Sequence, residues 1–110
     1  MASFSLNNEV RKLERYVMNL PMAKNLNTMN KKEREAMLDL REATESLRIN
    51  IIKYSTSDDT ADKAKYLSAG IKQVKSLNEL ILIASQYDLV DVVDVAHLSA
   101  ITEIIKERLE

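Results

Sequence analysis

One glycine and one proline in 110 residues leave this chain few ways to turn. Sheets need frequent tight turns, and tight turns draw on those two residue types. A chain so short of both is driven toward long helices joined by few connections. Its length suits a single domain with a modest core. Apolar residues at 45% and charged residues at 30% fit a water-soluble globular protein.

Apolar periodicity places four helices. The first runs from about Ser5 to Leu20, with Leu6, Val10, Leu13, Val17 and Leu20 as its apolar stripe. Ser5 is its expected N-cap, with Asn8 and Glu9 in the first turn. Pro21 disfavours helix at Leu20, and Met22–Asn30 is rich in Asn, a turn and cap former. The second helix spans 31–54, capped by Thr28 or Asn30, with Glu33 or Glu35 near its positive end. Met37, Leu40, Leu47 and Ile51 take core spacing, with Thr44 in the gap. Ser55–Asp59 reads as the central loop.

The third helix, 60–87, starts at Thr60 as N-cap and carries Leu67, Ile71, Val74, Leu77, Ile81 and Ala84 in a sustained bundle stripe. Gly70 inside it predicts a neighbour packed close to the backbone, at a cost of about 1 kcal/mol relative to Ala. The fourth, 91–109, has Asp91 as N-cap, Asp94 at N3, and Val90 with Val95 at hydrophobic-staple spacing. Ala96, Leu98, Ile101, Ile105 and Leu109 supply its apolar surface. The short link Tyr87–Val90 makes neighbours antiparallel. The expected fold is therefore all-α: residues 1–110 as one antiparallel up-down-up-down four-helix bundle.

The sequence offers little to catalysis. There is no cysteine, which removes disulfides, thiolate zinc sites and thiol nucleophiles, and agrees with a cytoplasmic setting. No apolar run is long enough for a membrane span, and residues 1–10 have no signal-type apolar region. His97 is the only histidine, so a di-iron bundle needing two Glu-x-x-His pairs is excluded. The position of His97 beside Leu98 predicts a structural or surface role. Asp58, Asp59 and Asp62 lack the EF-hand pattern and read as a solvated loop. No phosphate-binding glycine loop or nucleophile elbow occurs. The expectation is a protein that is not an enzyme and needs no cofactor or metal.

Charge is uneven under a net of −1: residues 1–27 hold four bases and two acids, residues 89–110 two bases and five acids. Arg34, Arg41 and Arg48 recur every seven residues beside the second helix's core stripe, and Lys65 and Lys72, with Lys75 one turn on, do the same on the third. Two such lines are candidate nucleic-acid contacts. Alternatively they are a solvated bundle face, since Glu42 and Glu45 lie close to Arg41 and Arg48. Tyr16, Tyr54, Tyr66 and Tyr87 sit near helix ends, where a ring packs on one side and keeps its hydroxyl wet. Leu38, Ile49, Ile52, Leu80, Leu82 and Ile83 fall outside the core stripes and predict an oligomer interface.

From about Lys31 onward the layout resembles the accessory variability determinant (Avd) family of diversity-generating retroelements. The matching pieces are Arg34–Leu47 (REAMLDLREATESL), a polar loop, Tyr66–Asp91 (YLSAGIKQVKSLNELILIASQYDLVD) and Val95–Leu109 (VAHLSAITEIIKERL). They cover roughly three quarters of the chain, and Ala84, Leu89–Val90 and Asp91 would fill the family's small residue, aliphatic pair and polar cap. The resemblance implies a non-enzymatic bundle that assembles as a homopentamer and binds the element's reverse transcriptase and template RNA. Avd proteins are typically basic, whereas the pI here is about 5.9, so RNA would have to meet a local basic face. A related bundle family, encoded in ribosomal-RNA intervening sequences, is echoed only by Ser46–Ile51 (SLRINI), without that family's Glu-Gly. It implies the alternative, a homo-oligomeric protein-interaction module with no nucleic-acid role.

Overall fold

A computed structural model describes residues 2–20 and 26–110, with side chains described from Leu6 to Leu20 and from Asn27 onward. Pro21 and residues 22–25, assigned above to the first turn, lie outside the described residues. Within them the chain forms four α-helices: α1 (Ala2–Met18), α2 (Lys31–Thr56), α3 (Thr60–Gln86) and α4 (Val92–Leu109), with a 3-10 turn over Leu26–Thr28. Each helix packs on its sequence neighbour, and α4 closes against α1. This ring of seams, with α1 diagonal to α3 and α2 to α4, is a four-helix bundle 47 Å long. No described helix is long and apolar enough to cross a membrane.

The apolar stripes converge as their spacing requires. Leu6, Val10, Leu13, Val17 and Leu20 are buried on α1 and its end, as are Met37, Leu40, Leu47 and Ile51 on α2. Val74, Leu77, Ile81 and Ala84 do the same on α3, where Leu67 and Ile71 are only partly buried. Leu98, Ile105 and Leu109 complete the core from α4, while Ala96 is exposed rather than part of it. Thr44 is fully buried in the α2 stripe because its hydroxyl is satisfied internally, donating to the Leu40 carbonyl at 2.6 Å.

Caps set the helix boundaries. At α2 the choice falls on Asn30: its side chain accepts from the Glu33 N–H at 2.9 Å, and Glu33 Oε1 accepts from the Asn30 N–H at 3.3 Å, a complete capping box. At α3 the cap is Asp59, whose side chain accepts from the Ala61 N–H, so Thr60 becomes the first helical residue rather than the cap. At α4 Asp91 caps through the Asp94 N–H, with Val90 buried and Val95 partly buried in the staple. On α1 the helix already begins at Ala2, which places Ser5 inside it instead of at its cap.

The α3–α4 link is a Schellman turn. The Leu89 N–H bonds back to the Ala84 carbonyl and the Asp88 N–H to the Ser85 carbonyl, both at 3.0 Å. Such a turn needs one left-handed residue, here Asp88 at φ 58°. Gly70, in contrast, is chosen for space. A Cβ built there would meet Asn50 Nδ2 and Leu109 Cδ1 at 3.4 Å and Ile51 Cδ1 at 3.6 Å, so side chains of α2 and α4 already pack against this point of α3.

Two stability tests follow from this packing. Leu77→Ala or Ile81→Ala should each cost about 2–5 kcal/mol in chemical denaturation, because both are fully buried. A loss under about 1 kcal/mol at both would contradict the placement of α3. Asp88→Gly should be neutral or gain up to about 1 kcal/mol by relieving the left-handed conformation, whereas Asp88→Val should lose about 1–2 kcal/mol.

Candidate nucleic-acid interface and the polar seams

Each of the four seams carries a polar contact between helices. Arg48 Nε donates to Glu14 Oε2 at 2.5 Å across α1/α2. Asn50 Nδ2 donates to the Tyr66 carbonyl at 2.6 Å across α2/α3. The Thr102 hydroxyl donates toward Asn78 Oδ1 at 2.8 Å across α3/α4, and the Tyr16 hydroxyl to Asp94 Oδ1 at 2.6 Å across α1/α4. These contacts fix which flank of each helix meets which neighbour, and so where each predicted basic residue points.

Arg34 is exposed; Arg41 and Arg48 are half-buried on the α1 side of α2. Arg48 is committed to Glu14, and Arg41 Nε is buried without a hydrogen-bond partner. The arginine line is therefore a seam element as much as an outer face. The α3 lysines differ from the flanking placement expected of them. Lys65 and Lys72 are exposed and, by helical phase, stand opposite the buried positions Gly70, Val74 and Ile81, while Lys75 is exposed toward α4. The two lines do not merge into one ridge: one follows the α1/α2 seam, the other runs along the outside of α3. Lys63, on the same helix, lies 6.0 Å from the Tyr54 ring centre.

A basic face absent from the expected set lies on α1. Asn8, Arg11, Lys12, Arg15 and Asn19 are all exposed, at spacings that keep them on one side. A groove lined by Asn8, Glu9, Arg11, Lys12 and Arg15 runs over it, and a neighbouring groove of about 520 Å³ opens where Lys12, Arg15 and Asn19 meet Tyr16, Leu20, Asp94 and Ile101 on the α1/α4 seam. The signal was present in the sequence as Arg11, Lys12 and Arg15 with Glu9 and Glu14 the only acids of α1, but only the fold shows where those acids turn. Glu9 is nearly buried and pairs with Lys12 at 3.2 Å; Glu14 faces Arg48.

His97 is exposed, its ring centre 5.6 Å from that of Tyr16. The α1/α4 contact perturbs Tyr16: donation to Asp94, helped by burial and the negative charges of Asp94 and Asp91, raises its pKa from 10.0 to about 12. A phenol whose folded pKa lies above its unfolded value stabilises the fold fully below about pH 10 and loses that contribution as pH rises toward 12. Denaturation from neutral to strongly alkaline pH should therefore show wild type more stable than Tyr16→Phe at neutral pH, with the gap narrowing above about pH 10. A gap that stays constant with pH would remove the hydrogen bond as its source.

No known protein family, curated protein or solved structure matches this chain.

Proposed function

We propose that this chain is a non-enzymatic helical scaffold that acts by assembly: with copies of itself as a pentamer, and with a reverse transcriptase and its template RNA, in the manner of the Avd proteins it resembles. The observation that carries the assembly is the aliphatic surface left after the core is complete. Leu38, Ile49, Ile52, Leu82 and Ile83 are exposed, with Leu82 at 58%. Of the apolar residues assigned to an interface by sequence, only Leu80 instead packs against the core. Val92 and Val93, at 81% and 64%, add an apolar end to α4. Aliphatic side chains in such numbers on one small domain are costly in water and suit a protein interface. The partner's identity rests on the resemblance alone, and the exposed α3 lysines support a phosphate contact.

The homo-oligomeric module without nucleic acid is the second reading. It is favoured by the engagement of Arg48 with Glu14, which removes one of the predicted phosphate contacts.

Light scattering separates a scaffold from a lone bundle. The expected mass is that of five chains, and Ile49→Glu with Leu82→Glu should lower it while circular dichroism keeps its helical signal. A monomer mass at high micromolar concentration would reject the assembly. Failure to co-purify with a co-expressed retroelement reverse transcriptase would reject the assigned partner.

A further inference from the structure

We infer that the bundle has two phosphate-binding faces on opposite sides, α1 and α3, and so bridges two nucleic-acid segments rather than gripping one. This rests on the nucleic-acid reading proposed above but adds a face and a geometry to it. The first observation is sequence made spatial. Between Asp62 and Glu79, α3 carries Lys63, Lys65, Lys72 and Lys75 with no acid. Lys65 and Lys72 point away from the core, with no acid of α3 between them and with Asp62 and Glu79 bounding the stretch. The second is α1, whose exposed Arg11, Lys12 and Arg15 are flanked by Asn8 and Asn19. Of its two carboxylates Glu14 turns sideways to Arg48, while Glu9, nearly buried, pairs with Lys12 at the groove's edge, so Arg11 and Arg15 are the face's main cations. The third is the ring of seams: α1 and α3 are diagonal, so their outer faces look in opposite directions. The helices between them do not extend either band, since α2 interleaves bases with Glu35, Asp39, Glu42 and Glu45, and α4 bears Glu103 and Glu107.

The chemistry of the α1 face favours phosphate. Arginine presents a planar fork that takes a phosphate through two hydrogen bonds, and asparagine adds neutral donors of the kind that hold a nucleic-acid backbone. The groove over Asn8, Arg11, Lys12 and Arg15 has polar walls, with the charge of Glu9 at its edge met by Lys12. An anionic membrane, being flat, would engage only one of two opposed faces. Two separated strands, or two arms of one folded RNA, engage both.

The test uses the full chain and two copies of one stem-loop RNA, labelled with donor and acceptor dyes. Protein added below RNA concentration should bring donor and acceptor together. Arg11→Glu with Arg15→Glu, or Lys65→Glu with Lys72→Glu, placed in the assembly-breaking Ile49→Glu/Leu82→Glu chain so that each particle offers one copy of each face, should each leave binding to one stem-loop but abolish energy transfer. Each pair should lower the slope of log affinity against log salt by between about 1 and 2, as each phosphate contact contributes roughly 0.7–0.9. All four reversals together should end binding. Circular dichroism checks folding, and the corresponding Gln variants replace any reversal that unfolds. If wild type binds RNA and the α1 pair leaves both transfer and slope unchanged, the second face is refuted while the α3 contact stands. If wild type binds no RNA at low salt, both the bridge and the nucleic-acid reading fall. Binding to anionic vesicles in preference to RNA also overturns the bridge.

Discussion

Four amphipathic helices set in a row would leave the first and last with an apolar flank in water. Bringing α4 back against α1 removes that exposure, and the interior becomes a continuous column from Leu6 and Ile51 to Leu20 and Leu89. Burial is non-directional, however, and would tolerate helices slid or rotated against one another. The polar contacts between neighbours supply the missing direction. Arg48 with Glu14, Asn50 with the Tyr66 carbonyl and Tyr16 with Asp94 each meet their partner at one register, and Thr102, which also reaches the Ser99 carbonyl of its own helix, meets Asn78 there too. A slip at any seam would strand one of these groups partly out of water, and an unpaired polar group of that kind costs about 1–3 kcal/mol.

What periodicity encodes was readable in advance. The four stripes, the bundle class and the antiparallel order follow from step lengths of three and four and from short links, and helix ends fell within about three residues. Local competition decided the rest. Asp59 and Thr60 are adjacent capping candidates, and the carboxylate took the role, moving the boundary by one residue. Gly70 was readable as a place of close approach, but not that Asn50, Ile51 and Leu109 would converge on it. The surface was least legible. A heptad-spaced arginine looks the same in sequence whether it faces solvent or, like Arg48, turns to a carboxylate 34 residues away. The α1 face stayed hidden because its acids disappear only in three dimensions.

The surface that remains divides by chemistry. Exposed aliphatic side chains are concentrated on α2, the C-terminal half of α3 and the start of α4, while Arg11 and Arg15 on α1 and Lys65 and Lys72 on α3 stand on the outer faces of those helices. A net charge near zero thus conceals an uneven distribution of aliphatic and cationic areas over the surface. Under the scaffold reading proposed above, this separation would let assembly and anion contact proceed without competing for one face.

Three of the four seams join helices adjacent in the chain; the α1/α4 seam joins residues 78 positions apart at Tyr16 and Asp94. Loop-closure entropy therefore falls most heavily on that seam. Until it closes, the α1 stripe is equally complementary to the vacant place in another copy, and exchange would recreate every native contact between two chains. A dimer that exchanged its first helix would remake that same seam, Tyr16 to Asp94, between two chains.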